Sequence, residues 1–207
     1  MCIRDREHRG SNSIIWYETF VSLYEELCDV FARVKFYEDK IKFNAKTDET
    51  CKRLTEIRGV GPITASAVAA SVGDPRDFKN GRQFSAWLGL VPRQNSSGGK
   101  THLGKITKRG DKYLRKLLVQ GASSVAISVI RKVNAADSSK KTLTLTEYWN
   151  HQLREKKGFQ LANVALANKT ARIIWKVLCG EEYLSEEKMK ISKKRQKLFR
   201  LERIAAI

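Results

Sequence analysis

CKRLTEIRGVGPITASAVAASV, residues 51–72, reads as two short helices and the turn between them. The first helix should stop near Ile57, because Gly59-Val60-Gly61 makes a tight turn. Pro62 then suits the first position of a new helix, where its missing N–H has no partner to lose. Small residues fill 63–72, so this second helix can pack closely against a neighbour. Helix, turn with glycines at 59 and 61, helix is the helix-hairpin-helix pattern. In it the turn N–H groups and the next helix N-terminus grip a phosphate without reading base sequence. An ordinary turn between two helices is the competing reading.

Downstream, Asp74-Pro75 interrupts the chain, and Phe78, Phe84, Trp87 and Leu88 supply apolar bulk around a short helix at 81–89. Then comes PRQNSSGGKTHLGKITKRGDKYLR, residues 92–115. Arg93, Lys100, Lys105, Lys108, Arg109, Lys112, Arg115 and the adjoining Lys116 crowd it, and Asp111 alone opposes them. A basic Ser/Gly loop is expected here, because Ser96-Ser97-Gly98-Gly99 leaves the backbone free to approach an anion. From Asp111 to about Lys132, Leu114, Leu117, Leu118, Gly121, Ala122 and Val125 share one helix face. A polar linker at 133–142 and helices near 143–157 and 160–179 follow; Lys169 and Arg172 add positive charge to the last. Residues 185–207 form a basic tail.

Upstream, Trp16, Phe20, Leu23, Leu27, Val30, Val34, Tyr37 and Ile41 repeat at alternating spacings of four and three. That is a heptad seam, so residues 13–50 read as a coiled-coil helix. Its partner lies in cis or in trans, and a homo-oligomer is expected. Residues 1–12 lack periodicity and open on MCIRDR, which resembles a translated sequencing-adapter leader. They read as a non-native or disordered leader before a missing natural N-terminus. The expected fold is mainly α: a long coiled-coil helix, then a compact helical domain at 51–184 with few or no strands.

The 207 residues carry a net charge of +18. A polyanion is the natural partner, and nucleic acid is the commonest. No apolar run approaches the roughly 20 residues that span a bilayer, so no membrane partner is expected. Cys2, Cys28, Cys51 and Cys179 form no C-x-x-C pair and read as reduced, mostly buried thiols of a cytoplasmic protein. His8, His102 and His151 lie too far apart to mark a metal site, so no metal or cofactor is assigned to this chain.

The order of LTEIRGVGPITASAVAA, FSAWLGLVPRQNSSGGKTHLGKITKRGDKYLRKLLVQGA and ALANKTARIIW resembles the C-terminal transposase domain of the insertion sequence 110 family, including the Piv-like DNA invertases. The subgroup named for insertion sequence 1111 is the most similar. The resemblance implies a recombinase in which a RuvC-like domain binds Mg²⁺ through acidic residues and precedes a coiled coil. A C-terminal domain with a nucleophilic serine follows, and a structured guide RNA selects DNA. The family's serine stands before a glycine, five residues after the Pro of a Pro-Arg pair, which implies Ser97, with Ser96 the alternative. The RuvC-like part is absent, and Asp29, Glu38 and Asp39 belong to the heptad helix, so the chain reads as a fragment. Strand exchange by a serine hydroxyl requires activation by a base or a metal. Arg93, Lys100, Lys105, Lys108, Arg109, Lys112 and Arg115 would neutralise phosphates. A non-catalytic nucleic-acid-binding module is the alternative, and a ribosomal-type RNA-binding protein a third reading.

Overall fold

In the computed structural model, residues 4–97, 100–134 and 143–181 are described, and they divide into two compact units, residues 1–44 and 45–207. The first is one helix, α1 (Arg4–Thr47), whose last turn enters the second unit. It takes in residues 4–12, which the sequence placed in a leader. Trp16, Phe20, Leu23, Leu27, Val30, Val34 and Tyr37 are all exposed on it. Tyr17, Tyr24 and Phe31, each one residue after a seam position, are exposed as well, so the apolar stripe is wider than the heptad seam alone.

The second unit is built from helices α2 (Glu49–Thr55), α3 (Pro62–Ser71), α4 (Gly81–Trp87), α5 (Lys112–Asn134), α6 (Leu145–Lys157) and α7 (Phe159–Leu178), with strands β1 (Pro92–Ser97) and β2 (Lys100–Ile106) between α4 and α5. Asp48 caps α2 by accepting from the Thr50 N–H at 2.9 Å, and Pro62 opens α3 as its spacing requires. The core joins Cys51 and Leu54 of α2, Ile57 and Val60 of the turn, Ala65 and Val68 of α3 and Phe84 of α4. Leu114, Leu118 and Ala122 of α5 meet Ala167, Ala171 and Ile174 of α7 in the same cluster. The alanines of α7 let its neighbours approach closely, and each buried Leu or Phe contributes about 1.5–3 kcal/mol.

The strands correct the expectation of a basic Ser/Gly loop. Residues 92–97 and 100–106 pair antiparallel, with Gln94 opposite Leu103, Asn95 opposite His102 and Ser97 opposite Lys100, and a bulge lies between Pro92 and Gln94. Gly98 and Gly99 fall outside the described residues, as do residues 135–142 of the linker and the tail at 185–207. The thiols need a correction too. Cys51 is buried, Cys179 is partly buried and Cys28 is exposed on α1. Burial, then a hydrogen bond and the charge of Asp48, push the Cys51 thiol up to about 11. Among the described residues no helix is long and apolar enough to cross a membrane.

Candidate nucleic-acid interface

The hairpin's root is held by backbone groups. The Thr107 N–H donates to the Val91 carbonyl at 2.8 Å, and the Lys108 N–H to the Gly89 carbonyl at 3.1 Å. Lys108 takes a positive φ of 55°, uncommon for a residue with a side chain. Asp111, the one acidic residue in the basic run, caps α5 by accepting from the Leu114 N–H at 2.8 Å. Its carboxylate is therefore turned to the helix and not to the surrounding cations. Arg115 is only half-exposed, and its Nη1 donates to the Leu88 carbonyl at 3.1 Å and reaches those of Asp111 and Arg109 at 3.4 and 3.5 Å. In this arrangement it braces the hairpin root.

Arg93, Lys105, Lys108, Arg109 and Lys112 are exposed on the hairpin and its exit. The Arg93 Nη2 donates to the Thr107 carbonyl at 3.4 Å. None of the five has a carboxylate partner among the described residues. Ser97 ends β1 and Lys100 begins β2, paired across the ladder, and Ser96 stands opposite Thr101. The structure thus gathers Arg93, Ser96, Ser97, Lys100 and Lys105 on one hairpin and sets Lys108, Arg109 and Lys112 at its base.

Gly59 and Gly61 lie elsewhere, in the turn between α2 and α3. Gly59 has φ +86°, and a Cβ on Gly121 of α5 would come within 1.9 Å of the Gly59 carbonyl oxygen. The turn is therefore seated directly on α5. Gly61 caps α3 and has open space where a Cβ would be. The turn and the hairpin root share α5, at Gly121 and Asp111, about 15 Å apart along its axis at 1.5 Å per residue.

Sequence reasoning missed Glu147. It is 1% exposed on α6 and forms ion pairs with Arg58, beside the turn, and with Lys132 of α5 at 2.8 Å. Its Oε2 also accepts from the Thr144 N–H at 2.8 Å, completing a capping box. Burial raises the carboxyl's pKa, but the Lys132 and Thr144 hydrogen bonds and the two positive charges outweigh it and hold the group below its ordinary value of 4.5. Glu147 thus fixes the direction of Arg58. Glu147→Gln should lower stability by about 2–3 kcal/mol at neutral pH, since it leaves two cations beside a buried neutral group. A depressed folded-state pKa gives stability that is complete above the unfolded value and lost as pH falls through the folded one. The gap between wild type and Glu147→Gln in denaturant titrations should therefore be constant above about pH 5 and narrow below 4.5.

Residues 51–138 match the family model described as Transposase IS116/IS110/IS902 family. These residues are a transposase domain of that family. A probable family 20 transposase of Pseudomonas aeruginosa is 44% identical over 164 residues, covering 79% of this chain and 46% of that protein. The transposase for insertion sequence element IS1111A of Coxiella burnetii is 45% identical over 160 residues, 77% of this chain and 41% of the relative. The transposase for element IS1328 of Yersinia enterocolitica is 42% identical over 154 residues, 74% and 42% of the two chains. The chain spans somewhat less than half the length of these relatives. The family domain runs from α2 through the turn and the hairpin to the end of α5, so both candidate interfaces lie within it.

Proposed function

We propose that this chain is the C-terminal part of a DNA transposase, gripping the DNA backbone with its basic hairpin and supplying Ser97 as the nucleophile of strand exchange. The observation that carries this reading is the hairpin itself: a polar ribbon whose exposed cations have no carboxylate partners among the described residues, inside a transposase-family domain. The turn at Gly59–Gly61 would act as a helix-hairpin-helix, offering backbone N–H groups to a neighbouring phosphate. A structured guide RNA would occupy part of the remaining positive surface. In the chemical step a Ser97 Oγ–phosphorus bond forms and one phosphodiester P–O bond breaks. The serine proton passes to a base, and the departing strand takes up a proton to end in a hydroxyl. Mg²⁺ is implied for a RuvC-like domain; among the described residues no three His, Cys, Asp or Glu side chains gather to hold it, and no step runs through it here.

The binding half is tested by salt titration. Duplex affinity should fall linearly with log salt, by about 0.9 per neutralised phosphate. Lys105→Ala/Lys108→Ala/Arg109→Ala should reduce that slope by about 2–3. A slope unchanged by the triple substitution would place the duplex elsewhere on the chain.

The stripe on α1 supports self-association. Seven exposed seam side chains flanked by Tyr17, Tyr24 and Phe31 leave more contiguous apolar surface in water than a soluble monomer commonly shows. Leu23→Lys/Val30→Lys should lower the mass measured by light scattering towards that of a monomer. A wild-type chain already monomeric under the same conditions would rule the seam out as a homo-oligomer contact.

A further inference from the structure

A second cationic surface lies on the exposed side of α7. Lys169, Arg172 and Lys176 recur at spacings of three and four, so they stand on one helix face. Across from them Arg82 of α4 closes an open groove of about 510 Å³, floored by Ile173 and Trp175. Among the described residues no acidic side chain lines it. Arg82 and Arg172 have no carboxylate partner among the described residues, while Lys176 pairs with the exposed Glu181 at 2.9 Å. The groove shares Lys169 and Arg172 with a neighbouring depression bordered by Trp149 and Asn168. Trp149 of α6 is 40% exposed. The Lys169 ammonium lies 5.6 Å from its ring centroid and donates to Thr146 Oγ1 at 2.6 Å, which holds the lysine of α7 beside the indole of α6.

An indole set beside a row of cations fits one class of ligand. Duplex bases are stacked on each other and have no face to offer, whereas an unpaired base can stack on an aromatic ring as its phosphates meet the cations. From Lys169 to Arg172 to Lys176 the helix rises about 10 Å, so the three cations are spread along its axis where successive phosphates of one strand can meet them. We propose that this groove holds a single strand of DNA, with an unpaired base on Trp149 and the backbone running along Lys169, Arg172, Lys176 and Arg82. The proposal rests on the reading of the chain as a DNA transposase. It adds a surface for a strand separated from its complement, distinct from the hairpin that takes the duplex.

The test is fluorescence anisotropy of the full chain with labelled oligo(dT), oligo(rU) and a blunt duplex. Trp149→Ala should weaken oligo(dT) binding about tenfold, and Trp149→Phe should retain most of it. Arg82→Ala/Arg172→Ala should lower the oligo(dT) salt slope by about 1.4, at 0.7 per phosphate in a single strand. Duplex affinity should not change in any of these variants, whose far-ultraviolet circular dichroism should match wild type. No loss for oligo(dT), a loss shared equally with the duplex, or a loss confined to oligo(rU) would overturn the proposal. Lys105→Ala/Lys108→Ala/Arg109→Ala supplies the separate control: its loss of duplex binding tests the hairpin, whatever the groove does.

Discussion

Gly121→Ala is expected to destabilise the protein by about 2–3 kcal/mol, although helix propensity alone predicts the opposite. Gly121 lies inside α5, where alanine is favoured by nearly 1 kcal/mol. Most of that preference is the smaller conformational freedom of alanine in the unfolded chain. Against it stands one contact: the new Cβ would meet the Gly59 carbonyl oxygen at 1.9 Å. That atom is backbone, so no rotamer change relieves the overlap. Nor can the turn easily reshape, since Gly59 already holds φ +86° and its own hypothetical Cβ would be 3.1 Å from the Gly121 carbonyl oxygen. The turn must lift from α5, which opens the packing of Ile57, Val60 and Val125. Overpacking of this kind costs 1–3 kcal/mol and occasionally more, and here it must also cancel the propensity gain. The melting temperature should fall by roughly 5–10 °C, at 2–4 °C per kcal/mol for a chain of this size. A variant that melts at or above the wild-type temperature would show that the turn is not seated on α5.

This contact also marks where the sequence was legible. The glycines at 59 and 61 and the proline at 62 announced a turn and a helix start, and α3 begins at Pro62. The apolar face from Leu114 to Val125 announced α5, and it lies against α7 in the core. Nothing in the sequence paired Gly59 with Gly121, because close approach of two backbones leaves no periodic mark. The hairpin escaped for another reason. Its strands are polar on both faces, so they lack the alternation that a half-buried strand shows. The signal that remained was local: two short runs separated by Gly98-Gly99, a two-residue connection typical of hairpins. Periodicity also places α6 poorly among its neighbours. Among the described residues its buried side chains are Glu147 and Asn150, held by Arg58, Lys132 and the Ala162 carbonyl rather than by the apolar cluster. Arg115 shows the converse limit. A basic residue in a basic run reads as a phosphate contact, yet its guanidinium is directed at three backbone carbonyls.

Ser97→Ala should abolish covalent capture of DNA once the chain is joined to a RuvC-like domain and a cognate guide RNA, a loss of at least about a hundredfold, as expected when a nucleophile is removed. The position follows from the Pro92-Arg93 pair and from Gly98, which give the family's spacing to this serine. Its surroundings fit the chemistry. A phosphodiester under attack gains negative charge, and preorganised cations that meet that charge lower the barrier without reorganising. Arg93 and Lys105 are carried on the same hairpin, and Lys100 faces Ser97 across its ladder. Binding and chemistry should therefore separate. Ser97→Ala keeps every cation, so duplex affinity and its salt slope should stay at wild-type values while the adduct disappears. Lys105→Ala/Lys108→Ala/Arg109→Ala should weaken both. Ser96→Ala decides between the adjacent hydroxyls. That variant should retain most of the adduct, measured as protein-linked DNA on denaturing gels. An adduct that persists in Ser97→Ala and vanishes in Ser96→Ala would move the nucleophile by one residue. If neither substitution reduced the adduct, the attacking group would lie outside the hairpin, and the hairpin's cations would serve binding alone.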